Sequence, residues 1–197
     1  MANQALEGAD VNMKPDPIAE PDAYRTMLLT ALASDDPAAV QAETPRELRS
    51  IVNEAGPLLD IRPAPREWSV LELVGHFVDA ELVVAGRVRW ILAHDEPDLM
   101  PYDQELWVER LRHREEDAGA LLDLFEALRR ADLDLWRRSS SAERARIGHH
   151  TERGPESYDL TFRMLAGHDR IHLEQMRRTV TEARRLQRTS VAPAASG

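Results

Sequence analysis

Apolar side chains recur along this chain at intervals of three and four, not two. From 70 to 91 they fall at Val70, Leu73, Val74, Phe77, Val84, Val88 and Ile91, which is one face of an amphipathic helix. Ser69-Val70-Leu71-Glu72 opens that helix as a capping box, and it ends near His94. A loop with Pro97 and Pro101 follows, and helical spacing returns over 104–138 through Leu106, Trp107, Leu111, Leu121, Leu124, Phe125, Leu128, Leu135 and Trp136. The polar stretch 112–120 can divide it in two. A last helix is predicted over 157–185, after a loop that starts at Ser139-Ser140-Ser141, carries His149 and His150, and reaches Gly154-Pro155.

Upstream, a short helix is predicted over 22–33, stopped by Ser34-Asp35-Asp36-Pro37, with a brief helical piece running to Val40. Thr44-Pro45-Arg46-Glu47 then reads as a helix start, with a threonine cap, proline at the first helical position and glutamate at the third. That first core helix runs to about residue 54, where Gly56-Pro57 ends it, and Arg62-Pro63-Ala64-Pro65 forms a stiff connector. No segment alternates with period two for more than a few residues, so no strand is predicted. The expected fold is all-α: a four-helix bundle with extra short N-terminal helices and a long connection that allows a crossover. Residues 1–20 read as a disordered arm, 21–186 as the bundle domain and 187–197 as a disordered tail.

Length and composition narrow the chemistry. At 197 residues the chain can bury a proper core as one domain. It has no cysteine, which excludes disulfides, thiolate metal ligands and a protein-borne thiol nucleophile, and fits a cytoplasmic location. No apolar run is long enough to span a bilayer, and the first residues lack a secretory core, so no membrane association is expected. The net charge is −10 (25 − 35), and residues 1–60 supply −7 of it from 4 basic and 11 acidic side chains. An acidic chain is a poor nucleic-acid binder, because phosphate neutralisation supplies most of that affinity.

Three histidines stand out against this background. His168 and His172, four residues apart in the last helix, lie one above the other on the side of Met164, Leu165 and Ile171. His76 falls on the apolar stripe of its own helix, among Leu73, Phe77, Ala80 and Val84. A buried imidazole needs a hydrogen bond or a metal to offset about 1–3 kcal/mol of desolvation. Three such rings on two helices would supply three nitrogen ligands and leave a coordination position open. On the residues alone, the HxxxH pair is a weak signal that core or surface histidines sharing a face also produce.

Pro63-Ala64-Pro65-Arg66-Glu67-Trp68-Ser69, then Glu72-Leu73-Val74-Gly75-His76-Phe77-Val78-Asp79-Ala80-Glu81, and later Gly167-His168-Asp169-Arg170-Ile171-His172-Leu173-Glu174-Gln175-Met176, resemble the two signatures of the DinB-like superfamily. That superfamily includes bacillithiol transferases and mycothiol-dependent enzymes such as maleylpyruvate isomerase. The likeness covers about residues 22–186. It implies a dimeric four-helix bundle with a divalent metal, zinc or nickel, held by three histidines, and carries that role to His76, His168 and His172.

The expected activity follows from resemblance plus the missing cysteine: a transferase that couples a low-molecular-weight thiol to a small electrophile in detoxification or stress response. Alternatives are a hydrolase acting through metal-activated water, and a non-catalytic stress-associated metal-binding protein. Partners are a small-molecule substrate and a second copy of the chain. The surrounding residues have plainer readings. Asp79 and Asp169 are expected to orient metal-binding rings, Glu72 to cap its helix, and the four tryptophans to anchor the core. His94, His113, His149 and His150 read as exposed, the last two on a loop able to reach the site mouth. The C-terminal arginines read as complements to the negative end of their helix.

Overall fold

The computed structural model describes residues 15–191; the N-terminal arm up to residue 14 and the tail from 192 on lie outside the described residues. In chain order the elements are α1 (Pro21–Leu32), α2 (Pro37–Ala55), α3 (Val70–Ala93), β1 (Asp98–Leu99), α4 (Gln104–Arg110), α5 (Ala118–Arg138), α6 (Ser141–Arg144), β2 (Ile147–His150), β3 (Gly154–Ser157) and α7 (Tyr158–Val191). Helices α2, α3, α5 and α7 build a four-helix bundle, and α1 packs along α7.

Polar contacts between helices fix their directions. Along α2 and α7 the partners rise together, from Gln41 with Phe162 to Thr44 with Asp169 and Glu54 with Arg184, so these helices are parallel. Glu81 with Arg129 and Arg89 with Asp132 make α3 parallel to α5. Gln41 with Arg129 and Arg49 with Asp123 make α2 antiparallel to α5. Two successive long helices, α3 and α5, therefore run the same way. The segment between them must travel back along the bundle, about 36 Å for a 24-residue α3, and it carries β1 and α4 on the way. This is the crossover that the long connection allowed.

Each start has a local cause. The Ser69 hydroxyl accepts from the Glu72 backbone N–H at 3.2 Å, and the Glu72 carboxylate accepts from the Ser69 N–H at 2.8 Å. Residues 70–81 of α3 are buried on every side, as expected of the helix at the centre of a bundle. The α2 start differs from the sequence expectation. Asp36 is the cap, its side chain accepting from the Ala38 N–H at 3.1 Å, and Pro37 takes the first turn. Pro45 lies inside the helix. It leaves the Gln41 carbonyl without its helical donor, and Arg129 of α5 supplies the replacement at 3.2 Å.

Two apolar clusters fill the bundle. One gathers Leu48, Leu73, Phe77, Phe125 and Met176; the other gathers Val88, Ile91, Leu133, Trp136 and Phe162, with the Trp136 and Phe162 rings stacked at 3.9 Å. Between them, at the middle of α3, α5 and α7, lies a polar layer. Beside the bundle, β1, β2 and β3 form a small sheet, β1 parallel and β3 antiparallel to β2. The expectation of no strand fails here because the buried positions of the alternating β2 are Gly148 and His150, which carry no hydrophobic signal. Helix α7 runs six residues beyond its expected end, through residues first read as tail.

Candidate metal centre

His76 stands near the start of α3, and His168 and His172 on successive turns of α7, so two antiparallel helices bring the rings together. They are 0%, 8% and 8% exposed. The Nε2 atoms of His76 and His168 lie 3.0 Å apart, ring centroids across the trio are 4.3–5.0 Å apart, and one nitrogen of each ring falls within 4.8 Å of the others. Two nitrogens bound to one ion at about 2.0–2.1 Å sit roughly 2.9–3.4 Å apart, for angles between a right angle and tetrahedral. The observed 3.0 Å is within that range. Trp68, 5.0 Å from the His76 ring, and Phe77, 6.1 Å from His168 and His172, form apolar walls. Three imidazole nitrogens walled by Trp68 and Phe77 fit a divalent ion.

His168 also lines a cavity of about 600 Å³, large enough for a drug-sized molecule. Ala80 and Val84 of α3 and Leu165 of α7 form its apolar side, and Tyr24, Tyr102 and Arg87 its polar side. Burial pushes the hydroxyls of Tyr24 and Tyr102 up, so both are neutral hydrogen-bond donors at physiological pH.

Residues 41–176 match the DinB superfamily. This chain belongs to the DinB superfamily. It is similar to a protein of Oceanobacillus iheyensis provisionally named a metal-dependent hydrolase, with 26% identity over 132 residues, 66% of this chain and 76% of that protein. The fold is similar to that of YfiT from Bacillus subtilis, described as a four-helix bundle of unusual topology and provisionally as a metal-dependent hydrolase. The TM-score is 0.68 at 18% identity, over 94% of each chain. Such a likeness establishes the bundle and its crossover, not the reaction. No helix among the described residues is long and apolar enough to cross a membrane.

Within this DinB fold the carboxylates beside the histidines face away from them. Asp79 accepts from His113 Nε2 at 2.7 Å, and Asp169 accepts from Arg129 and from the Thr44 hydroxyl. Arg129, 1% exposed, is gripped by Glu81 through bonds of 2.9 and 2.7 Å and by Asp169 on its other side. Burial alone would lower its pKa, but the two carboxylates more than reverse that and keep it charged. This buried ion cluster ties α3, α5 and α7 together one residue from His168. Glu72 caps α3 as expected and also receives Arg62. Arg177 and Arg184 pair with Glu47 and Glu54, joining α7 to α2 rather than serving the end of their own helix.

Of the other histidines only His94 is exposed; His149 is half-buried, and His113 and His150 are each 2% exposed. His150 lines the cavity together with His168, as its position before the last helix suggested. Two arginines that sequence reading passed over are buried. Arg129 stands four residues from both Phe125 and Leu133 on the apolar face of α5, and Arg87 continues the line of His76, Ala80 and Val84 on α3. A basic residue on a buried stripe was the available signal.

Proposed function

We propose that this protein is a metal-dependent hydrolase in which His76, His168 and His172 hold one divalent ion. The carrying observation is the convergence of three buried imidazoles, one of which, His168, lines a cavity sized for a small molecule. Bound there by three neutral imidazoles, a divalent ion would keep its full charge and would supply carbonyl polarisation and a water made acidic near neutral pH. The chain's own residues do the rest. The α3 and α7 backbones preset the three rings, and Trp68 and Phe77 keep bulk water from their far side. Tyr24 and Tyr102 donate hydrogen bonds to a substrate oxygen. Hydrolysis takes precedence over transfer to a thiol because both relatives carry the hydrolase assignment and the cavity has a polar wall independent of any thiol.

The test joins metal content to turnover. Elemental mass spectrometry on untagged protein should find near one zinc or nickel per chain, lost in His168→Ala. A panel of small esters and amides should be cleaved without added thiol. Full metal stoichiometry in the variant would remove the ligand assignment. Turnover that appears only with a low-molecular-weight thiol would replace hydrolysis by thiol transfer.

A further inference from the structure

Arg87 is the side chain in the cavity wall that the three histidines do not explain. It is only 5% exposed, and its Nε and Nη2 donate to the Met100 carbonyl at 3.2 and 2.6 Å. Among the described residues no carboxylate pairs with it. Arg153, which lines the same cavity, is different: bonds of 2.7 and 3.1 Å commit it to the buried Glu156. The inner wall thus holds one net uncompensated guanidinium. Burial and repulsion from Arg153 lower its pKa only to about 10, so it remains cationic at neutral pH. An unpaired charge this buried is destabilising, a cost that a counterion would remove.

His150 sharpens the point. The backbone N–H groups of Glu152 and Arg153 both donate to its Nδ1, at 3.2 and 3.3 Å. A neutral imidazole has one acceptor nitrogen, so the ring proton is on Nε2. Burial and the two nearby arginines hold its pKa down to about 4, and the ring stays neutral. Nε2–H then faces Arg87 Nη2 at 3.1 Å, donor against donor. A single oxygen acceptor seated between them would satisfy both. Three of the four exposed acids of the cavity are otherwise engaged: Asp16 accepts from two backbone amides, Asp103 caps α4 and Glu105 accepts from Trp68, while the fourth, Glu152, makes no ion pair with Arg87.

We propose that Arg87 and His150 form a carboxylate-binding subsite, and that the substrate cleaved at the histidine centre carries a carboxylate at its far end. This rests on the hydrolytic reading above. One net charge, with Glu156 close by, suits a monoanion better than a phosphate dianion. Arg87 follows His76 by three helical turns, a rise of about 16 Å, and a long helical side chain leans back toward the helix N-terminus, so the span from reacting bond to carboxylate is shorter, on the order of 10 Å.

The probes are the p-nitrophenyl hemiester of suberic acid and neutral p-nitrophenyl octanoate, assayed on the metal-loaded full chain. A charge-assisted pair predicts kcat/KM about 10- to 100-fold higher for the hemiester. Arg87→Gln should bring the ratio to near one, and Arg87→Lys should retain part of it. A wild-type ratio near one overturns the proposal without any variant. Calorimetric titration of octanoate into chelator-stripped protein reports the subsite separately from catalysis. Binding at least 10-fold weaker in Arg87→Gln supports it even if neither ester is cleaved, in which case only the hydrolytic reading fails. Equal binding in wild type and Arg87→Gln, or octylphosphonate binding 10-fold tighter than octanoate, overturns it.

Discussion

Replacing Arg129 with methionine tests whether the buried ion cluster holds the centre of the bundle. The substitution keeps a long apolar stem and removes five hydrogen bonds: two to Glu81, two to Asp169 and one to the Gln41 carbonyl that Pro45 exposes. Glu81 and Asp169 are both 0% exposed, so each would be left buried without its counter-charge. Breaking one partner out of a buried ion group costs about 3–5 kcal/mol. For a domain of this size 1 kcal/mol shifts Tm by about 2–4 °C, so Arg129→Met should melt roughly 6–20 °C below wild type. The pH dependence gives a second signature. Burial already raises the Glu81 pKa despite Arg129, and losing the arginine raises it further. A carboxyl that holds its proton more tightly folded than unfolded stabilises less as pH climbs above the unfolded value of about 4.3. The deficit of Arg129→Met should therefore be larger at pH 8 than at pH 5, by urea unfolding at both. A triple replacement, Glu81→Leu, Arg129→Met and Asp169→Leu, should recover much of the loss, because an apolar set of similar volume leaves no stranded charge. A loss under about 1 kcal/mol, or one identical at both pH values, would refute the reasoning.

Two other substitutions probe the far side of α3. A Cβ on Gly75 would lie 2.3 Å from His113 Cγ, so Gly75→Ala should lose about 1–3 kcal/mol by overpacking where an ordinary helical site would gain up to about 1; a raised Tm would contradict this. Burial lowers the His113 pKa, but bonds to Asp79 and Glu116 outweigh it and the net shift is upward. A histidine with a raised folded pKa stabilises fully below its unfolded value near 6.5 and loses that contribution as pH rises through the folded one. Urea unfolding should thus show wild type exceeding His113→Gln by more at pH 5.5 than at pH 8.5, and the reverse order would sink the assignment.

The three candidate ligands were legible because their signals are local. The i, i+4 spacing of His168 and His172 and the apolar stripe around His76 need only helical geometry, and the Ser69 box needs only its own four residues. What stayed hidden depends on partners far along the chain. Thr44-Pro45-Arg46-Glu47 has the composition of a helix start, yet α2 continues through it. The cost of Pro45 is met by Arg129, 84 positions later, and Thr44 turns its hydroxyl to Asp169 at 2.8 Å. The partners of Asp79 and Asp169 are hidden for the same reason. Proximity in sequence to a ligand suggested support for its ring, whereas His113 and Arg129, from other elements, claim them.

The placement of the polar layer links the two halves of the picture. His168 and Asp169 are neighbours on α7, and adjacent residues on a helix point about 100° apart. One therefore faces the cavity while the other faces Arg129 between α2, α3 and α5. The ion cluster fixes the rotation of α7 about its axis, since turning the helix would pull Asp169 from both of its partners, Arg129 and Thr44. In this bundle the lock is the neighbouring residue, so exchanging the His168-Asp169 order would remove the candidate ligand and the buried ion pair together.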